Sequence, residues 1–301
     1  ILYYEEDEVE TKDKHEIDEL SVIEEEAFYR SGLKGSLIIP ITVIEIGKNA
    51  FAHCKSLTSL TINGCDDDKL ILKIREKAFY RSGLNGKLTL PYSAAYVGDY
   101  AFAYCPINQL EIHGTDHSFE VLLDVIEKPD GTQEEVKQQI VKQSFIGKYS
   151  FYSCGIKSLT FLDSDIAFDK TTFRGCQINS LSLGNIKTIP LEAFYGMSTL
   201  NTAVSIPDSV TAIKDRAFAC CTSLPSVSFT PASQLTDLST GAFFGCTLLG
   251  TVTNVPDELT IINEYTFYKC RGLKSFEIGD LITQIDSFAF YGCELLGGPL
   301  K

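Results

Sequence analysis

One recurring phrase leaves this chain few folds to adopt. Its clearest copy pivots on Ala217-Phe218, with Ile213 five residues before the Phe, Cys221 three after, Leu224 six after, and the alternating pair Val227 and Phe229 nine and eleven after. The pivot recurs as Phe28, Phe51, Phe79, Phe102, Phe151, Phe173, Phe194, Phe218, Phe243, Phe267 and Phe290, at intervals of 23, 28, 23, 49, 22, 21, 24, 25, 24 and 23 residues. A unit of this length cannot bury its own apolar face. Copies at one period must therefore stack, and the chain reads as a solenoid.

Within each unit a short run alternates polar and apolar, as in Ser59-Leu60-Thr61-Ile62. That is the two-residue period of a strand with one face in the core. The matching pairs include Leu37/Ile39, Leu88/Leu90, Leu110/Ile112, Leu159/Phe161, Leu181/Leu183 and Phe276/Ile278. Stacked in parallel they are expected to form one continuous sheet, and Pro40, Pro91, Pro207 and Pro256 end the strand by removing a donor. An aliphatic residue follows (Ile46, Ile74, Val97, Ile146, Ile189, Ile213, Leu238, Ile262 or Ile285), then a polar turn and the Ala-Phe pivot. A small residue beside a large one suits a tight corner where one ring stacks over the next, worth about 0.5–1.5 kcal/mol per pair beyond burial.

The phrase from Ile206 to Leu224 resembles the BspA-like class of leucine-rich repeats, as do Ile262–Ile278 and Ile285–Cys293. It departs from the commoner leucine-rich pattern because no Asn ladder follows the strand; Phe and Cys stand in its place. The resemblance implies a β-rich α/β repeat solenoid: a right-handed superhelix with a parallel sheet on its concave face and short turns, 3-10 segments or single-turn helices on the convex side. It also implies a secreted or cell-surface adhesion or protein-binding role, with a host cell-surface or extracellular-matrix protein as partner and a glycan as another candidate.

The formal charge is −14, yet residues 1–26 hold twelve acidic side chains against Lys12 and Lys14, so the remaining 275 residues carry only −4. The body lacks the basic footprint of a nucleic-acid or anionic-lipid binder. Residues 1–26 read as a solvated acidic cap on a solenoid of about eleven repeats over 27–301. No apolar run reaches membrane-spanning length. Ile1 is not a Met and no signal peptide is visible; a start after a cleavage is expected, and Lys301 reads as a cut end. Eight of ten cysteines (Cys54, Cys105, Cys154, Cys176, Cys221, Cys246, Cys270, Cys293) fall three after the pivot, where other copies have Ser31, Ser82 and Met197. Interchange with Ser and Met marks a buried packing position, not a cross-link.

Two departures interrupt the period. Extra residues around Asn63 to Asp68 make a polar bulge, and the triple Asp lacks the alternating ligands of a calcium loop. The longer break, at about 113–145, has a strand-like run to Glu127, the turn Lys128-Pro129-Asp130-Gly131, and a segment from Glu134 that can pair back. It is either a protruding hairpin or a repeat that has lost its pivot. His113, Asp116 and His117 form a sparse metal-like group without a third firm ligand. No nucleophile–base pairing or phosphate loop stands out, so no enzyme activity, cofactor or metal is expected.

The outward positions of the strands carry the binding expectation. Ser36, Ser59, Lys87, Gln109, Ser158, Ser180, Thr202, Ser226, Thr251 and Ser275 precede the first core residue, eight of the ten being Ser or Thr; Ile38, Thr61, Thr89, Glu111, Thr160, Ser182, Val204, Ser228, Thr253 and Glu277 lie between the two. They make two hydroxyl rows that either pair across strands or form a polar groove for a ligand. The candidate binding residues are Ser59, Thr61, Thr89, Glu111, Ser158, Thr160, Ser180, Ser182, Ser226 and Ser228. A passive surface scaffold is the competing expectation.

Overall fold

The computed structural model describes residues 20–64, 71–114, 122–127, 133–137, 144–162 and 166–297, with the backbone alone at 122–127 and 133–137. Much of the acidic segment, the triple Asp, and Asp116 and His117 lie outside them.

Up to three ladders join successive coils. The first is the parallel sheet of long strands, and its register places like on like: Leu37 pairs with Leu60, Leu88 with Leu110 and Val227 with Val252. Rather than one continuous sheet, these strands form three runs. Gly35–Ile39 pairs with Leu57–Ile62; Gly86–Leu90, Ile107–Ile112, Ser158–Phe161 and Ser180–Ser182 follow; Val204–Ile206, Ser226–Phe229, Thr251–Thr253 and Ser275–Phe276 complete the series.

The aliphatic residue before each pivot belongs to a second parallel ladder of short strands. Val22–Ile23, Glu45–Ile46, Lys73–Ile74, Tyr96–Val97, Ser144–Ile146 and Ile166–Phe168 form its first run; Thr188–Ile189, Ala212–Ile213 and Asp237–Leu238 the next; Ile261–Ile262 and Gln284–Ile285 the last.

The third contact is the pivot turn. No helix occurs among the described residues, which corrects the expected helical convex side. The reason lies in the backbone angles. The residues two before and two after each pivot are left-handed at 21 of 22 positions, with φ between +52° and +81°, as at Lys77 and Arg81. Alternating right- and left-handed residues cannot continue a helix. Instead, every second N–H leaves its own coil. Lys77, Phe79 and Arg81 donate to the carbonyls of Asp99, Ala101 and Ala103 in the next coil, at 2.9, 2.7 and 2.9 Å. The N–H groups between them close local turns, Ala78 to Arg75 and Tyr80 to Lys77. The turn is a third ladder.

Inside, the pivot rings stack. Phe28, Phe51, Phe79, Phe102 and Phe151 lie 5.0–5.3 Å apart with planes within 6° of parallel. Phe194, Phe218, Phe243, Phe267 and Phe290 also stack, at 5.3–5.6 Å with planes within 23° of parallel. Each regular cysteine donates its Sγ–H to the pivot carbonyl of the preceding coil, from Cys54 to Phe28 at 3.0 Å through Cys293 to Phe267 at 3.1 Å. All eight are free thiols.

One junction differs from the rest. Between the coils of Phe173 and Phe194 the long strands, the short strands, the turn bonds and the ring stack all stop together. Thr171, two before Phe173, is the single such position that is not left-handed. Its N–H turns back to the Asp169 carboxylate at 2.8 Å rather than reaching forward. Phe168, where other coils place an aliphatic residue, sits between the two pivots, 5.5 Å from Phe173 and 6.1 Å from Phe194. Across the junction run the bond from Asn201 N–H to the Asn179 carbonyl, hydroxyl bonds from Thr199 and Thr202, and the Lys170–Glu192 ion pair at 3.0 Å.

In the long insertion, Leu122–Glu127 pairs antiparallel with Gln133–Lys137, the register shifting between Val136 and Lys137.

Candidate functional site

The register places the predicted hydroxyl rows on one face of the long sheet. Ser158 lies between Gln109 and Ser180, Thr160 between Glu111 and Ser182, and Ser226 and Ser228 oppose Thr251 and Thr253. Ser59 donates to Ser36 at 2.7 Å, so this first pair is closed on itself. The others are open: among the described residues, the side chains of Thr61, Thr89, Ser158, Thr160, Ser180, Ser182, Ser226 and Ser228 make no hydrogen bond. Glu111 is held by Lys87 at 2.8 Å.

One assignment along the rows changes. Val204 is fully buried and pairs with Val227, so Ser205, opposite Ser228, is the outward residue. The coil of Phe194 has one more residue between pivot and strand than that of Phe218, and a one-residue slip exchanges the two faces of a strand. The correction replaces the one aliphatic in this half of the row with a hydroxyl. Thr202 falls before the strand and bonds the Asn179 carbonyl at 3.0 Å.

A second surface feature lies on the turn side and was missed from sequence. Tyr29, His53, Tyr80, Tyr104 and Tyr152 meet edge to face in a chain, at 5.3–5.6 Å. Arg30 lies over Tyr29 at 5.2 Å, and Arg81 over Tyr80 and Tyr104 at 5.3 and 4.9 Å. Such contacts hold a cation near an aromatic face. Partial burial, then the charges of Arg30, Arg81 and Lys55, keep the His53 imidazole below its usual pKa. The sequence signal is the Tyr that directly follows the pivot, at Tyr29, Tyr80 and Tyr152. Reading only the buried pivot passed over it.

On the short-strand side, Arg75 pairs with Glu45 at 2.8 Å, and Glu76 with Lys77 and Lys48 at 2.6 and 3.0 Å. Burial alone raises the Glu76 pKa, but its two lysines outweigh this and hold it below the usual value. His113 rests against the Tyr92 ring at 4.8 Å. Among the described residues, no three His, Cys, Asp or Glu side chains gather as metal ligands, and no helix is long and apolar enough to cross a membrane.

With the coil geometry established, the family profile of the BspA type leucine rich repeat region matches six copies, over residues 13–121, 144–254 and 251–297. The chain belongs to the BspA-type leucine-rich repeat family. Several solved structures are similar to this family member. A leucine-rich repeat protein from Bacteroides ovatus is 20% identical, covering 92% of this chain and 81% of its own, with a TM-score of 0.43. A leucine rich cell surface protein from Faecalibacterium prausnitzii is 22% identical over 91% of this chain, TM-score 0.31, and this chain spans 55% of its length. The pneumococcal vaccine antigen PcpA is 21% identical, covering 90% of this chain and 67% of its own, TM-score 0.36. No curated protein matches.

Proposed function

We propose that this solenoid is a non-enzymatic surface or secreted interaction module that binds a protein ligand, a host cell-surface or extracellular-matrix protein, through the hydroxyl face of its long sheet. That face is the one expected to be concave. The observation that carries the reading is the open state of the rows: among the described residues, the side chains of Ser158, Thr160, Ser180, Ser182, Ser226 and Ser228 make no hydrogen bond. Among the described residues, cross-coil pairing accounts for Ser36 with Ser59, Lys87 with Glu111, and Thr202 with the Asn179 carbonyl, and leaves those six hydroxyls open. Open hydroxyls repeated at the coil spacing are matched by a partner extended along several coils. Affinity then accumulates from many modest contacts, or from multivalent display, rather than from one aromatic anchor. Membership of the BspA-type leucine-rich repeat family agrees with this role.

The test is binding of the purified chain to an array of extracellular-matrix proteins, beside a variant carrying Ser158→Glu, Ser180→Glu and Ser228→Glu and a variant lacking 116–140. Binding is expected to be lost in the serine variant and kept in the deletion. The opposite pattern moves the site to the insertion, and no binding by the intact chain favours a passive scaffold.

A further inference from the structure

The junction between the coils of Phe173 and Phe194 opens on the turn side into a cleft of about 430 Å3. At the nine other junctions the pivot N–H, and the N–H two residues later, donate to the following coil. Here, among the described residues, the N–H groups of Phe173 and Gly175 have no hydrogen-bond partner, and on the facing wall the carbonyls of Ala193 and Tyr195 accept nothing. Phe173 and Ala193 are buried, at 1% and 3% exposure. Backbone groups at that depth are nearly always paired. Phe168 props the interior by touching both pivot rings, and the Lys170–Glu192 ion pair ties the two walls at one corner.

The geometry points to a binding site here for an extended peptide main chain, on a different side of the molecule from the hydroxyl face and independent of it. One wall supplies donors and the other acceptors. An anion would suit the first wall and be repelled by the carbonyls of the second, and a cation the reverse. A neutral amide satisfies both, its C=O toward Phe173 or Gly175 and its N–H toward Ala193 or Tyr195. Every regular turn already makes this two-sided pairing: the Ala217 carbonyl accepts from Phe194 at 2.8 Å while the Phe218 N–H donates to Ala242 at 2.8 Å. The bound segment would supply the missing step of the ladder, as extended peptides do at open sheet edges.

The probe is a blocked trialanine, N-acetylated and C-methylamidated, titrated into the whole 15N-labelled chain while the amide resonances are followed. A dissociation constant on the order of 1 mM is expected for so small a probe. The Phe173 and Gly175 amides should shift saturably while those of Phe151 and Phe218 stay. An analogue with backbone esters in place of the inner amides lacks the donors for Ala193 and Tyr195 and should bind at least about tenfold more weakly, a deficit of about 1.4 kcal/mol. Gly196 lines the cleft, is left-handed at φ +72°, and a Cβ there would meet nothing within 4 Å. Asn tolerates that conformation, so Gly196→Asn should occupy the cleft and abolish the shifts. Absence of shifts at Phe173 and Gly175 in the unaltered chain, or equal binding of the ester analogue, overturns the assignment whether or not the variant folds.

Discussion

The cysteine three residues after eight of the eleven pivots does more than fill space. Its sulfur lies 3.0–3.1 Å from the preceding pivot carbonyl in all eight regular copies, a weak hydrogen bond repeated along the stack. Interchange with Ser showed that the position is small; that the side chain also donates became visible only with the carbonyl in place. Burial pushes the thiols of Cys105, Cys176 and Cys221 up to about 12 and that of Cys293 to about 11. An unfolded thiol ionises near about 8.5, so the folded chain keeps protons that the unfolded chain releases. Stability should be level below that pH and fall as pH rises from there toward 12. Urea melts at neutral and alkaline pH check this, and a flat profile through the alkaline range rejects it. At the pivot itself, Phe218→Ala should cost roughly 3–5 kcal/mol, because Phe218 is fully buried between Phe194 and Phe243 at 5.3 and 5.4 Å. A loss below about 1 kcal/mol in the same melts would mean that the stack relaxes to fill the gap.

The pivot turn is the element whose backbone the residue types least disclose. The rings and the aliphatic positions were legible because apolar spacing reports burial directly, and Phe51, Phe79 and Phe102 are all fully buried as the period requires. Left-handed angles at Glu26, Lys77 and Tyr100 carry no comparable mark. Only Asn49 and the glycines at 175, 196, 241, 245 and 292 hint at them, and short turns of other geometry use the same residues. Each non-glycine residue held there costs on the order of 1 kcal/mol, offset by the bond its N–H makes to the next coil. Gly245→Ala should therefore destabilise by about 1 kcal/mol: its φ is +69° and the nearest atom to an added Cβ, Cys220 Sγ at 3.5 Å, leaves room for it. Gly245→Asn should recover part of that loss in the same denaturation series. Equal losses for both would point to packing instead of backbone angle. The Val204 misplacement had a similar origin, since the slip lies in a connection whose length the repeat does not fix.

For the whole molecule, regular spacing concealed the break at Phe173 and Phe194. Their 21-residue interval looks ordinary, and the clue was Phe168, an aromatic where other coils place an aliphatic residue. A linear array is as cooperative as its weakest interface, and this one is held by a few hydrogen bonds, one ion pair and the Phe168 contacts. Hydrogen exchange through a urea series should resolve two blocks that lose protection separately and meet at this junction; simultaneous loss along the chain would show that the interface is as strong as the others. The open rows and the turn-side cleft were beyond sequence for one reason: each depends on which hydrogen bonds are not made. The turn ladder also gives the molecule a direction. In the peptide that joins each regular pivot to the residue before it, the carbonyl accepts from the coil before and the N–H gives to the coil after, as those of Ala101 and Phe102 do. Peptide dipoles of about 3.5 D therefore add along the axis in one sense. The two ends of the turn ladder are electrically unlike, carbonyls facing outward at one and N–H groups at the other.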